Sequence, residues 1–138
     1  MEISTSRQKQ ALVVEDNAMI QKIHSAFLKS FNYGVTAVRT GEEAIIILKS
    51  NATFDVILLD INLPQINGYE VSRIIREELK DISTPIMGVS TNTASEIRDK
   101  CLSAGINEIY TKPILQETIN NFLQTYGAKT NSGPAIQR

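Results

Sequence analysis

The chain has 138 residues, is 42% hydrophobic and 21% charged, and carries a net charge of −1. That length suits one domain with a sizeable core, and the composition argues against disorder. The charge gives no case for nucleic acid or an anionic membrane as main partner, and no apolar run approaches the roughly 18 residues that span a bilayer. Residues 1–7 are polar and do not read as a signal peptide. The single cysteine, Cys101, excludes an internal disulfide framework and fits a reducing compartment, so the expected location is the cytoplasm.

Strand-like and helix-like segments alternate along the chain. A first apolar run at 11–14 ends on the acidic pair Glu15-Asp16. Asn17 can cap the helix that follows. Ile20, Ile23, Phe27 and Phe31 make its apolar stripe, His24 falls at a polar surface position, and Gly34 ends it. A second strand is expected at 35–38. Thr40-Gly41 then leads into 42–49, whose few polar residues predict a well-buried helix.

The run 56–59 is continuously apolar, as in a strand covered on both faces of a parallel sheet. It ends on Asp60, at an edge where the carboxylate is expected to face solvent. Turn-rich sequence through Gly68 leads to a third helix with Val71, Ile74, Ile75 and Leu79 on one face; the charged stretch 76–81 reads as its solvated end. Pro85 opens a fourth strand at 86–89, followed by Ser90-Thr91. Ala94, Ile97 and Cys101 mark a fourth helix, closed by Gly105. A fifth strand at 109–110 precedes Lys112-Pro113, a bond that tolerates the cis form and would then help aim the lysine inward. Leu115, Ile119, Phe122, Leu123 and Tyr126 mark the last helix. Residues 1–9 read as an extension, 10–126 as the domain, and 127–138 as a polar, flexible tail.

Five strands alternating with five helices imply a doubly wound parallel sheet with helices on both faces. All carboxyl ends of such a sheet share one edge, where ligands bind. Glu15, Asp16, Asp60, Ser90 and Lys112 would therefore meet there. Three carboxylates in one place repel, and a divalent cation relieves that. Magnesium (or manganese) takes oxygen ligands, which Asp16 and Asp60, Glu15 directly or through water, and the backbone carbonyl of Asn62 could supply. Asp60 could then attack phosphorus, Lys112 balance the transferred charge, and Ser90 donate to a phosphoryl oxygen. Singly, each has a plainer reading: Asp60 as a turn residue or cap, Ser90 as a satisfied loop hydroxyl, Lys112 as a solvated charge, Cys101 as a small core residue. Convergence at one edge favours the functional reading.

Five motifs share this order: Val14-Glu15-Asp16-Asn17, Leu58-Leu59-Asp60-Ile61-Asn62-Leu63-Pro64, Asn67-Gly68-Tyr69-Glu70, Pro85-Ile86-Met87-Gly88-Val89-Ser90 and Thr111-Lys112-Pro113. Together they resemble the receiver domain of two-component response regulators over about residues 10–126. The resemblance implies a flavodoxin-like fold with strand order 2-1-3-4-5. It implies that Asp60 accepts a phosphoryl group from a histidine kinase or histidine phosphotransfer protein, that Glu15 and Asp16 bind the metal, and that Ser90 and Lys112 respond to the phosphoryl group. A downstream protein would then read the face of the fourth helix, fifth strand and fifth helix.

Some positions depart from the family's commonest pattern. Thr91 is bulkier than the usual small residue after the switch hydroxyl and would narrow access. Asn62 and Asn92 stand where the family tunes hydrolysis. Ile109 replaces a common aromatic, and Tyr110, one later, points to the opposite face by strand alternation. The twelve residues after Tyr126 are too few for an output domain, so the chain reads as a stand-alone receiver, or that of a hybrid kinase or relay, and not as a turnover enzyme. Two other classes fit less well. A haloacid-dehalogenase-like phosphatase would need a second acid where Asn62 stands. A flavin carrier would need a phosphate-binding loop where Glu15-Asp16 would repel phosphate.

Overall fold

The computed structural model describes residues 7–127. Five parallel strands form one sheet in the order β2-β1-β3-β4-β5: β1 Gln10–Val14, β2 Gly34–Val38, β3 Val56–Asp60, β4 Ile86–Ser90 and β5 Glu108–Thr111. The helices are α1 Ala18–Ser30, α2 Gly41–Lys49, α3 Gly68–Arg73, α4 Ser95–Ser103 and α5 Gln116–Phe122. This is the flavodoxin-like topology expected from the alternating pattern. Most of the predicted extension and tail lies outside the described residues; Gly127 belongs to the last helical turn and is buried.

Strand alternation divides the core in two. Leu12, Val14, Ile57, Leu59, Ile86 and Ile109 pack with Ala44 and Ile45 of α2, Val71 of α3, Ile75 of the turn that continues α3, and Cys101 of α4. Ala11, Val13, Val56, Leu58, Met87 and Val89 pack with Leu28 of α1 and Ile119 and Phe122 of α5. Each fully buried side chain of this size contributes about 1.5–3 kcal/mol, against about 1 kcal/mol net for a hydrogen bond. The two apolar layers therefore hold the sheet more than its ladder does. Cys101 is one of these core residues, and burial pushes its thiol up to about 11, far from a reactive thiolate.

Several local expectations are corrected. In α1 the buried positions are His24, Ser25 and Leu28, while Ile23 is exposed. The core face runs through His24, Phe27, Leu28 and Phe31, so packing against the α5 side turned the helix away from its most apolar stripe. Gly34 does not end α1 but begins β2; the helix closes at Phe31, and Asn32 takes the left-handed conformation with φ 70°. Helix α2 is only half covered: Ala44 and Ile45 are buried, whereas Ile46 is 68% exposed. α3 and α5 both run on into π-helical turns, Ile74–Glu78 and Leu123–Gly127. In the first, Leu79 N–H donates to Ile74 O, five residues back. That wider turn carries Arg76 inward, where it donates to Gly105 O, Asp81 O and Asn107 Oδ1, so the stretch 76–81 is not simply a solvated end.

His24 is 1% exposed, and its Nε2 has no hydrogen-bond partner among the described residues. Burial, assisted by the charge of Lys112, lowers its pKa to about 4. The imidazole is therefore neutral in the folded protein, whereas the unfolded chain takes up a proton near pH 6.5. Stability present above pH 6.5 is lost as pH falls towards 4, by an amount on the order of 3 kcal/mol. Replacing His24 with Leu should remove that share of the acid-side slope in urea denaturation; equal slopes for variant and wild type would contradict it.

Candidate functional site

The parallel register brings the strand ends together. Val14 pairs with Leu59, Asp60 with Val89, and Ser90 with Thr111. The ladder continues one residue further on two strands, with Glu15 N–H donating to Val38 O at 3.1 Å and Lys112 N–H to Ser90 O at 2.8 Å. Beyond Asp60 the chain turns sharply and Gly68 N–H returns to Ile61 O. A Cβ on Gly68 would lie 2.6 Å from Asp60 O, so only glycine lets α3 start against the backbone of Asp60.

At this edge Glu15, Asp16 and Asp60 each offer a carboxylate oxygen, all within 4.8 Å of one another. Lys112 lies over two of them. Its Nζ donates to Glu15 Oε1 and Oε2 at 3.3 and 3.2 Å and stands 3.2 Å from Asp60 Oδ2. The Lys112–Pro113 bond is cis. Asp60 Oδ1 accepts the Asn62 N–H at 2.9 Å. Asp60 Oδ2 is buried and makes no hydrogen bond among the described residues; its one neighbour of opposite charge is outside hydrogen-bond geometry.

The expectation that Asp60 faces solvent is wrong: the residue is 1% exposed. What encloses it includes the Lys112 side chain, itself only 9% exposed. Lys112 is likewise not a solvated charge. Burial raises the pKa of Asp60, and that of Glu15 to about 7, where the neighbouring charge of Asp60 adds to burial. Burial alone would lower Lys112, but Asp60 and Glu15 overcome it and the net shift is upward. The ammonium is thus the counter-charge that lets two enclosed carboxylates coexist.

Ser90 is buried and its hydroxyl donates to Asn62 Oδ1 at 3.1 Å, while accepting the Asn92 N–H at 3.1 Å. The Thr91 N–H also points to Asn62 Oδ1, at 3.4 Å. Asn62 was expected to offer its backbone carbonyl to a metal and to stand where the family tunes hydrolysis; the hydrogen bond of its side chain with Ser90 is what sequence reasoning missed. A polar residue two positions past a strand-end Asp was the available signal. Thr91 and Asn92 are exposed at the rim. Ile109 packs on the α4 side, and Tyr110 meets Phe122 edge-on at 6.2 Å on the α5 side, as alternation required.

Among known families, the response regulator receiver domain matches residues 11–124. The chain belongs to that family. This receiver domain is 34% identical over 125 residues to hybrid signal transduction histidine kinase L of Dictyostelium discoideum, covering 87% of the chain and 7% of that protein. It is 37% identical over 117 residues to the autoinducer 2 sensor kinase/phosphatase LuxQ of Vibrio vulnificus, covering 85% and 13%. It thus spans about a tenth of the length of these relatives. Among solved structures it is similar to the receiver domain of sensor histidine kinase PA1611 from Pseudomonas aeruginosa, with magnesium coordinated in the active-site cleft. The identity is 32% and the TM-score 0.77, over 88% of this chain and 99% of that one. The chemotaxis protein CheY4 of Vibrio cholerae gives 29% and 0.80, over 87% and 99%. The chain is a receiver domain of two-component signalling; the phosphatase reading of Asp60 finds no support. Among the described residues, no helix is long and apolar enough to cross a membrane.

If Lys112 supplies the counter-charge, Lys112→Met should cost about 3 kcal/mol in urea denaturation without divalent cations, because two enclosed carboxylates lose their partner. Adding Glu15→Gln should recover most of it. A single variant as stable as wild type would contradict this role.

Proposed function

We propose that Asp60 accepts a phosphoryl group from the phosphohistidine of a histidine kinase or histidine phosphotransfer protein. The observation that carries this reading is the meeting of three carboxylates within 4.8 Å under a lysine amine. The donor set suits a hard dication: three carboxylate oxygens, one each from Glu15, Asp16 and Asp60, lie within 4.8 Å of one another, with the Asn62 carbonyl as a further ligand. A magnesium or manganese ion held there would neutralise charge between the carboxylates and the incoming phosphoryl oxygens.

The chain's own groups do the rest. The Asn62 N–H fixes Asp60 Oδ1 and leaves Oδ2 as the attacking atom. Access requires the Lys112 amine to swing off Oδ2. The Asp60 O–P bond forms as the P–N bond to the donor histidine breaks, and the imidazole keeps that electron pair. Lys112 and the Ser90 hydroxyl then pair with phosphoryl oxygens. Nearly two added negative charges bias a two-state equilibrium of the loops after β3 and β4. A downstream protein would read the result on the face of α4, β5 and α5, or the phosphoryl group would pass onward. Thr91 and Asn92, exposed beside Ser90, would set access of water; Ile109 and Tyr110, packed on opposite faces of β5, would have a secondary tuning role without a rotating aromatic. The chain would catalyse only its own phosphorylation and dephosphorylation, in the cytoplasm.

With magnesium and a phosphoramidate or a cognate kinase, the protein should gain one base-labile phosphate, and Asp60→Asn should abolish it. Equal labelling of the variant would reassign the acceptor.

A further inference from the structure

We propose that the Asn62 side chain is a resting-state latch that holds the Ser90 hydroxyl away from Asp60. This rests on the reading of Asp60 as the phosphoryl acceptor. A serine hydroxyl has one proton to donate. In the resting structure that proton goes to Asn62 Oδ1 at 3.1 Å, and the hydroxyl oxygen is taken by the Asn92 N–H at 3.1 Å. Asn62 Oδ1 also faces the Thr91 N–H at 3.4 Å, so one amide oxygen ties the β3–α3 loop to the first two residues at the end of β4. Ser90 is buried, so no bulk water competes for the proton; Asn62 is exposed, so its amide can return to water when released.

A phosphoryl group on Asp60 and the amide of Asn62 are therefore rival acceptors of a single proton. The phosphoryl oxygen wins because it is charged, but it must first displace the amide. The same displacement frees the β4–α4 loop from the β3–α3 loop, so unlatching is the local event that lets the end of β4 move. Weakening the latch should favour the phosphoryl-bound state without touching any atom of Asp60, Glu15 or Lys112. Asn62 is thus a positioning residue acting through Ser90.

The test measures binding of trifluoroberyllate, a tetrahedral phosphoryl mimic, in saturating magnesium. Asn62→Ala should tighten binding about five-fold, the worth of one neutral hydrogen bond. Asn62→Met, which keeps bulk without the acceptor, should act in the same direction. In a Ser90→Ala background neither change should alter affinity, because the shared proton is gone. No tightening in either variant, or the same tightening without the Ser90 hydroxyl, would overturn the latch while leaving the acceptor assignment intact. Failure of the wild type to bind, or binding undiminished in Asp60→Asn, would instead remove the acceptor reading and the latch with it.

Discussion

One ammonium group holds the site in its resting form. Lys112 reaches from the end of β5 to Glu15 at the end of β1 and to Asp60 at the end of β3. Two carboxylates this close and this enclosed cannot both be ionised without a positive charge between them. The amine supplies it, and the same amine helps close the site over Asp60. A dication at the carboxylates and an amine between them answer the same electrostatic demand, so the two compete. Phosphorylation then adds a third claimant, the phosphoryl group, for both the amine and the Ser90 proton. The site is best understood as a small set of shared partners that are reassigned when charge arrives.

The sheet makes this sharing possible. Parallel pairing sets five strand ends on one edge, and two apolar layers fix the register to the residue. A slip of one residue would exchange the faces of a strand and turn its terminal side chain away. Gly68 adds a second constraint by letting α3 begin against the carbonyl of Asp60. Precision at the site is therefore a consequence of core packing, while its responsiveness comes from the loops, where Asn62, Ser90 and Asn92 are joined only by single hydrogen bonds.

Much of this was legible in the sequence. Continuous apolar runs announced buried parallel strands, and acids, a hydroxyl and a lysine just past their ends announced a shared edge. What was not legible depends on tertiary reach. Nothing local to Asp60 reveals that a lysine fifty-two positions on (112 − 60) would cover it. The phase of α1 misled because Ile23 is more apolar than His24, yet packing on the α5 side placed the histidine inward. The π-helical turns after α3 and α5 break the regular helical period, so spacing alone could not foresee Arg76 turning towards Gly105 and Asn107. The bond between Asn62 and Ser90 could not be foreseen because the two residues lie past different strand ends.

Calorimetric titration of magnesium into the wild type and Lys112→Met tests the central claim most directly. If amine and dication contend for the same carboxylates, the variant binds magnesium more tightly than the wild type. Equal or weaker binding by the variant would show that Lys112 does not occupy the dication's electrostatic place, and the account of the resting site would fail.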